Sequence, residues 1–315
     1  MLLECKYNGF DCSSSFIRSL SSVFGNCFTF NWKAAMDKLF TVADMASTPA
    51  MFEGLSMIFY LPRHLNFPST LFEDGLIVLL HDNDELPLTV INGLRLRPGM
   101  AHTITYRKSQ TIFLPEPYTN CISTVPPNLD YLYEAIFESK FASQAAYSEV
   151  MCHEFCEQAF VFSKCGCILP IPFLIGYVFS LDHSHLLSAN ICIPSTSQER
   201  CALIARQEFL LSSVLTATWC SRCTSQCTYT YFVYDTSALS APTVEQKAMW
   251  THVLLNGNSN VALPNDFAAN YDAYMDINYL RVTVTCGSRY VVINKQQAKL
   301  TLVDTFSAIG GQTGL

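Results

Sequence analysis

Ten cysteines crowd into residues 121–227 of this 315-residue chain: Cys121, Cys152, Cys156, Cys165, Cys167, Cys192, Cys201, Cys220, Cys223 and Cys227. An even number in so short a window reads as a disulfide framework, which belongs to an oxidising compartment. Zinc is the rival reading, because CxC and CxxC are also metal spacings. The window's one CxxC, Cys220 to Cys223, runs on to Cys227 instead of facing a second knuckle, so the pattern favours bridges and no metal. Part of the connectivity follows from geometry. Cys152 and Cys156 at i, i+4 share one face of a helix. Cys220, Cys223 and Cys227 at i, i+3, i+7 share a helical or near-helical face. Two such segments lying antiparallel pair in nested order: Cys156 with Cys220, Cys152 with Cys223, and Cys121 with Cys227 outermost. Cys165, Cys167, Cys192 and Cys201 are left for the excursion between them. Outside the window, Cys5, Cys12 and Cys27 open the chain and Cys286 stands alone.

Composition narrows the class. Half of the residues are hydrophobic and 14 % are charged, against about 25 % charged in an average soluble domain. Such apolar content excludes disorder. With 19 Lys and Arg against 26 Asp and Glu, and no basic run, nucleic acid is not an expected partner. Yet no segment reads as a membrane span. The longest apolar stretch, Cys165 to Leu181, is broken by Pro170 and Pro172 and falls short of the about 20 residues a spanning helix needs. The opening MLLECKYNGF has no basic stretch followed by an apolar core and is no signal peptide. An apolar, cysteine-rich chain without span or leader is expected to be part of a longer one.

The first third is strand-like. Phe28–Asn31, Gly54–Leu61 and Gly75–His81 are short, β-branched or aromatic, and bounded by turn residues. HDNDELP (His81–Pro87) reads as an exposed acidic turn, and LRLRPG (Leu94–Gly99) as a strand ending in a Pro-Gly turn. HTITYRK (His102–Lys108) alternates at period two, and LPEPY (Leu114–Tyr118) reads as extended because each proline disfavours helix just before it. Leu129, Leu132, Tyr133, Ile136 and Phe137 then recur at helical spacing after Asn128, a candidate N-cap. A second helix is expected from Gln198 to Thr218, on Leu203, Ile204, Leu210, Leu211 and Leu215. Tyr279–Ile293 reads as two strands around a Gly-Ser interruption. Mixed strands with segregated helices place the chain in the α+β class.

Catalytic signatures fail. His153-Glu154 begins like HExxH, but Glu157 stands where the second histidine belongs. His183 and His185 form an HxH without further ligands arranged around it. Arg95, Arg97, Arg107 and Lys108 read as a solvated sheet face. No GxSxG, P-loop or GxGxxG occurs. The chain reads as a non-enzyme with no cofactor.

Several segments, in order along the chain, resemble the degenerin / epithelial sodium channel / acid-sensing channel superfamily. They are MLLECKYNGFDC with FGNCFTFN, GLIVLLHDNDELP, LRLRPG, LPEPYTNC, YSEVMCHEFC with CGC, CSRCTSQC, and the closing IGGQTGL. The resemblance implies the three nested bridges together with Cys165–Cys201, Cys167–Cys192 and Cys5–Cys12. It implies a hand-like, disulfide-rich α+β ectodomain with palm and β-ball sheets and a disulfide-laddered helical thumb. The expected parts are a finger and upper-palm segment (1–53), palm and β-ball (54–113), thumb (114–228), palm return strands with a knuckle (229–302), and the start of a second membrane helix (303–315). The first membrane helix and the selectivity filter are expected beyond the ends of this chain, and with them the partner of Cys27. Cys286 has no counterpart in the resemblance.

The implied whole is a homo- or heterotrimeric, amiloride-sensitive channel in the plasma membrane that carries Na⁺, with this segment outside the cell. Tyr118 matches an aromatic that docks the thumb against the first membrane helix. Ser307 matches a small residue outside the pore, where bulky side chains hold such channels open. Gly310, Gly311 and Gly314 would allow close helix approach. Ala308 departs from the acidic residue common at that place. Between Cys286 and Thr301 there is no Asp or Glu, and FPSTLFEDG keeps only Glu73 and Asp74 of an acidic run. Proton gating is therefore disfavoured against constitutive, mechanical or peptide gating. The second reading is a non-conducting ectodomain that binds an extracellular ligand or matrix, or assembles with other subunits. No Asn-X-Ser/Thr sequon occurs.

Overall fold

In a computed structural model of the chain, the described residues are 1–21, 25–33, 40, 54–66, 74–85, 87, 93–137, 146–170, 176–180, 185–256, 262–299, 304 and 306–309. In chain order the strands are β1 (Leu2–Tyr7), β2 (Phe10–Asp11), β3 (Phe16–Ser21), β4 (Gly25–Phe30), β5 (Leu55–Tyr60), β6 (Leu76–Val78), β7 (Leu94–Leu96) and β8 (Met100–Ile112). They continue with β9 (Cys121–Ile122), β10 (Tyr177–Phe179), β11 (Leu186–Ser188), β12 (Ser225–Gln226), β13 (Thr228–Ser240), β14 (Tyr279–Cys286) and β15 (Val292–Lys295). The helices are α1 (Pro127–Phe137), α2 (Glu149–Cys165), α3 (Ser197–Leu211), α4 (Ser213–Trp219), α5 (Val244–Asn256) and α6 (Tyr271–Asn278). Strands and helices are both present and largely segregated, so the fold is α+β. No helix among the described residues is long and apolar enough to cross a membrane.

The chain divides into two units. The first comprises residues 1–83, 87–108 and 232–291. Its sheet is centred on β5, which pairs antiparallel with β1 on one side and β14 on the other; β14 in turn lies parallel to β8. Side chains alternate across the pleat, so neighbouring residues serve opposite faces. Met57 packs with Ile104, Leu280, Val282 and the Cys5–Cys12 bridge, whereas Ile58 and Tyr60 pack with Trp250, Phe267, Met275 and Tyr279. Both faces of β5 are thus buried, which is why LSMIFY is almost continuously apolar. The Cys5–Cys12 disulfide ties the β1–β2 hairpin, with Cα atoms 5.1 Å apart.

The expected strands at 28–31, 54–61, 75–81 and 94–96 correspond to β4, β5, β6 and β7, and HTITYRK lies inside the thirteen-residue β8. At the Pro-Gly turn after β7, Gly99 has φ +80° and a Cβ there would sit 2.6 Å from the Asp276 carbonyl oxygen. Glycine is required by both constraints. The acidic stretch is not the exposed turn expected from its composition. Asp82 is half-buried and ion-paired to Lys108 at 2.6 Å, because β8 passes beside it. Lys108 is thus a half-buried ion-pair partner, whereas Arg95, Arg97 and Arg107 are exposed as a solvated face requires, Arg107 meeting Asp235 at 3.0 Å in the open. Asp74 accepts from Arg63 and Asn66, and these bonds hold its carboxyl below the usual range; Glu73 lies outside the described residues.

The second unit comprises residues 84–86, 109–231 and 292–315. It holds α1 to α4, the short β10–β11 hairpin, and β15 running parallel to the end of β8. Its core has α2 at the centre, with Phe155, Cys156, Ala159, Phe160 and Val161 all buried.

Candidate functional site

The second unit gathers most of the residues singled out from the sequence. Helix α2 begins at Ser148, whose hydroxyl accepts from the Met151 N–H, and stops at Gly166 in the left-handed conformation, whose N–H donates to Phe162. Each end is therefore satisfied. Five disulfides tie the segments around this helix: Cys121–Cys227, Cys152–Cys223, Cys156–Cys220, Cys165–Cys201 and Cys167–Cys192, with Cα separations of 4.9, 5.6, 5.5, 5.9 and 4.9 Å. All five are nested, each enclosed by the one before it. Cys165 is the last residue of α2, and Cys167 follows directly on its glycine cap, so adjacent odd positions reach different partners.

The premise behind the nesting differs from what the chain does. Helix α4 ends at Trp219, Cys220 caps it, and the Cys223 N–H donates to the Cys220 carbonyl across a turn. Residues 225–226 are already strand, parallel to β9, with Ser225 opposite Cys121. A turn of the 220–223 type places both sulfurs toward α2 as a helix would, and the parallel β9–β12 pair brings Cys121 to Cys227. The expected 198–218 helix is two helices. Ser212 closes α3 through its N–H to Phe209 and opens α4 by accepting from the Leu215 N–H. Asn128 is not the cap of α1, which starts one residue earlier on Pro127, a residue suited to a first helical turn.

LPEPY does not stay extended. The chain reverses there, with a cis Glu116–Pro117 peptide and a 3.1 Å bond from the Tyr118 N–H to the Pro115 carbonyl. Tyr118 ends that turn with half its surface exposed. Ser307 and Ala308 lie on a helical stretch, residues 306–309, and are exposed. Gly310, Gly311 and Gly314 lie outside the described residues, as does His183. Cys286 remains a thiol that donates to the Ser288 carbonyl at 3.0 Å, and Cys27 sits half-buried on β4 opposite Ser19.

One group of three residues escaped the sequence reading. Glu154 and Glu157 lie three apart on α2, and Arg206 reaches Glu157 from α3 with a 2.7 Å N–O separation. Burial, followed by the charge of Glu157, pushes the Glu154 carboxyl up to about 7, while Arg206 pulls the other way. Burial also raises Glu157, against the pull of Arg206. Glu154 Oε2 is buried with no hydrogen-bond partner among the described residues. Two glutamates at i, i+3 on an otherwise apolar helix face are the one trace of this group in the sequence. His153, Cys156 and Cys220 place a ring nitrogen and two sulfurs within 4.8 Å of one another, but both sulfurs are spent in one disulfide and offer no thiolate to a metal.

The profile of the family described as amiloride-sensitive sodium channel matches residues 1–315. The chain belongs to this family. It is similar to acid-sensing ion channel 4 of Rattus norvegicus, 26 % identical over 167 residues, 53 % of this chain and 29 % of that protein. Acid-sensing ion channel 1 of Gallus gallus is 28 % identical over 173 residues, 53 % of this chain and 30 % of that protein. Epithelial sodium channel subunit gamma of Rattus norvegicus is 28 % identical over 190 residues, 58 % of this chain and 27 % of that protein. The matched stretches thus span less than a third of each of these relatives. The family is one of sodium channels and not of enzymes.

Proposed function

We propose that this chain is the extracellular part of a subunit of a trimeric, amiloride-sensitive sodium channel of the plasma membrane. The observation that carries the reading is the nested ladder of the second unit, which makes a covalently braced lever out of α2 and its neighbours. On this reading residues 114–228 are the thumb and 229–302 the palm return strands with the knuckle. Residues 1–53 belong to the finger and upper palm, and 54–113 to the palm and β-ball. Residues 303–315 begin the second membrane helix. Tyr118, exposed at the end of its turn, couples the thumb to the membrane. Ser307 sits at the crowded threefold axis, with Gly310, Gly311 and Gly314 allowing neighbouring helices to approach.

Small size is what the mechanism asks of position 307. In a full-length channel carrying Ser307→Trp, the amiloride-sensitive sodium current at the oocyte surface is expected to rise several-fold at equal surface expression, because the indole keeps neighbouring helices apart. An unchanged current from such a variant removes the gating assignment.

A further inference from the structure

A cavity of about 170 Å³ opens in the second unit, lined by Pro126, Leu129, Cys152, Phe155, Cys156, Phe179 and Arg222. Five of these seven residues are buried, Pro126 is half-buried, and Arg222 is exposed at the rim. Leu129, Phe155 and Phe179 are each at most 5 % exposed, from α1, α2 and β10 respectively. A cavity of comparable size, about 150 Å³ and lined by aliphatic and aromatic side chains, stays dry and takes up benzene. The space here fits a single ring or a branched aliphatic group and nothing larger.

The one charged lining residue stands apart from the other ion pairs of the unit. Arg222 is exposed and, among the described residues, makes no ion pair, whereas Arg206 and Lys164 are both paired with glutamates. Its backbone is held on both sides. Cys220 and Cys223 flank it in sequence, and their bridges run to Cys156 and Cys152, which line the same cavity. Arg222 is therefore a lining residue on a covalently fixed segment at the rim of a mostly apolar, ring-sized space, from which its guanidinium has the reach to meet a bound group. A planar fork of five donors with no acceptor of its own matches a carboxylate in bidentate fashion, and a mostly apolar pocket with one convergent polar group is the usual form of a small-molecule site.

We infer that this cavity binds a small apolar monocarboxylate, an aromatic or branched aliphatic one, with its ring or branch against Leu129, Phe155 and Phe179 and its carboxylate on Arg222. The inference does not depend on the channel reading. Sodium benzoate is the probe, titrated into the secreted, disulfide-intact chain and followed by calorimetry and by saturation transfer from protein to ring protons. Benzoate is expected to bind in the millimolar range. Arg222→Gln, a change at an exposed position, is expected to weaken it about tenfold, the share of one charge-assisted pair. Toluene, which has the ring without the charge, should bind wild type and R222Q alike, and acetate, which has the charge without the ring, should bind neither. Leu129→Phe, which occupies the space, should remove benzoate and toluene together. Equal benzoate affinity in wild type and R222Q overturns the assignment of Arg222, and no saturation transfer at tens of millimolar benzoate overturns the site.

Discussion

Replacing both outermost cysteines, Cys121→Ala with Cys227→Ala, is expected to destabilise the second unit by about 4 kcal/mol, roughly twice the loss from Cys156→Ala with Cys220→Ala. The order follows from nesting and not from sequence separation alone. Cys121 and Cys227 are 106 residues apart, but the Cys152–Cys223 bridge already short-circuits 71 of them. The outer rung therefore closes a further loop of only about 35 residues, for which the chain-entropy relation gives about 4 kcal/mol. The Cys156–Cys220 rung spans 64 residues inside those 71. It closes only about 7 more, for about 2 kcal/mol. Urea unfolding followed by fluorescence reads the difference, since Trp219 is the only tryptophan of this unit. A larger loss from the inner pair than from the outer one would show that packing around the sulfurs, and not loop closure, dominates the ladder.

Glu154→Gln is expected to stabilise the second unit at pH 8 by about 2 kcal/mol and to leave it nearly unchanged at pH 4.5. The folded carboxyl titrates at about 7 against an ordinary value of 4.5. Below the ordinary value both states hold the proton, so folding is indifferent to it. Between the two values the unfolded chain has released a proton that the folded chain retains, so wild-type stability falls as pH rises. Above about 7 the full cost is present, because the folded carboxyl ionises while half-buried beside Glu157. Solvent reaching a half-buried group screens this cost, which is why the expected figure stays below the full conversion of the shift. Parallel stability profiles of wild type and E154Q across this range would refute the assignment. Profiles that converge at low pH and diverge above neutrality are the expected result.

How far these features could be read from sequence depended on how local their causes are. The i, i+4 pair Cys152 and Cys156 is a local fact, and α2 delivers it. The 220–227 segment reached the same pairing by a different route, turn and then strand, because spacing constrains where sulfurs project more than it constrains backbone type. Leucine periodicity ran through Ser212 without registering the break, since a serine that caps two helices at once changes hydrogen bonding but not hydropathy. The turn at Tyr118 was hidden by a rule on residues before proline that holds for each residue singly and is silent on how the peptide closes. The Glu157–Arg206 contact joins positions 49 apart in sequence, and it exists only because α2 packs on α3. Arg222 was read as part of a cysteine motif; its place on a cavity wall depends on α1, α2 and β10 meeting there.

The nested bridges also govern what breakage of the chain would look like. Any single peptide bond cut between Cys121 and Cys227 leaves both fragments joined through at least the outer bridge. Such a nicked molecule keeps its mass on a non-reducing gel and separates only when a reductant is added. Cuts N-terminal to Cys121 and C-terminal to Cys227 have no such protection from this ladder, apart from the few residues that Cys5–Cys12 encloses. Comparing reduced with unreduced digests would therefore map the braced third of the chain by electrophoresis alone.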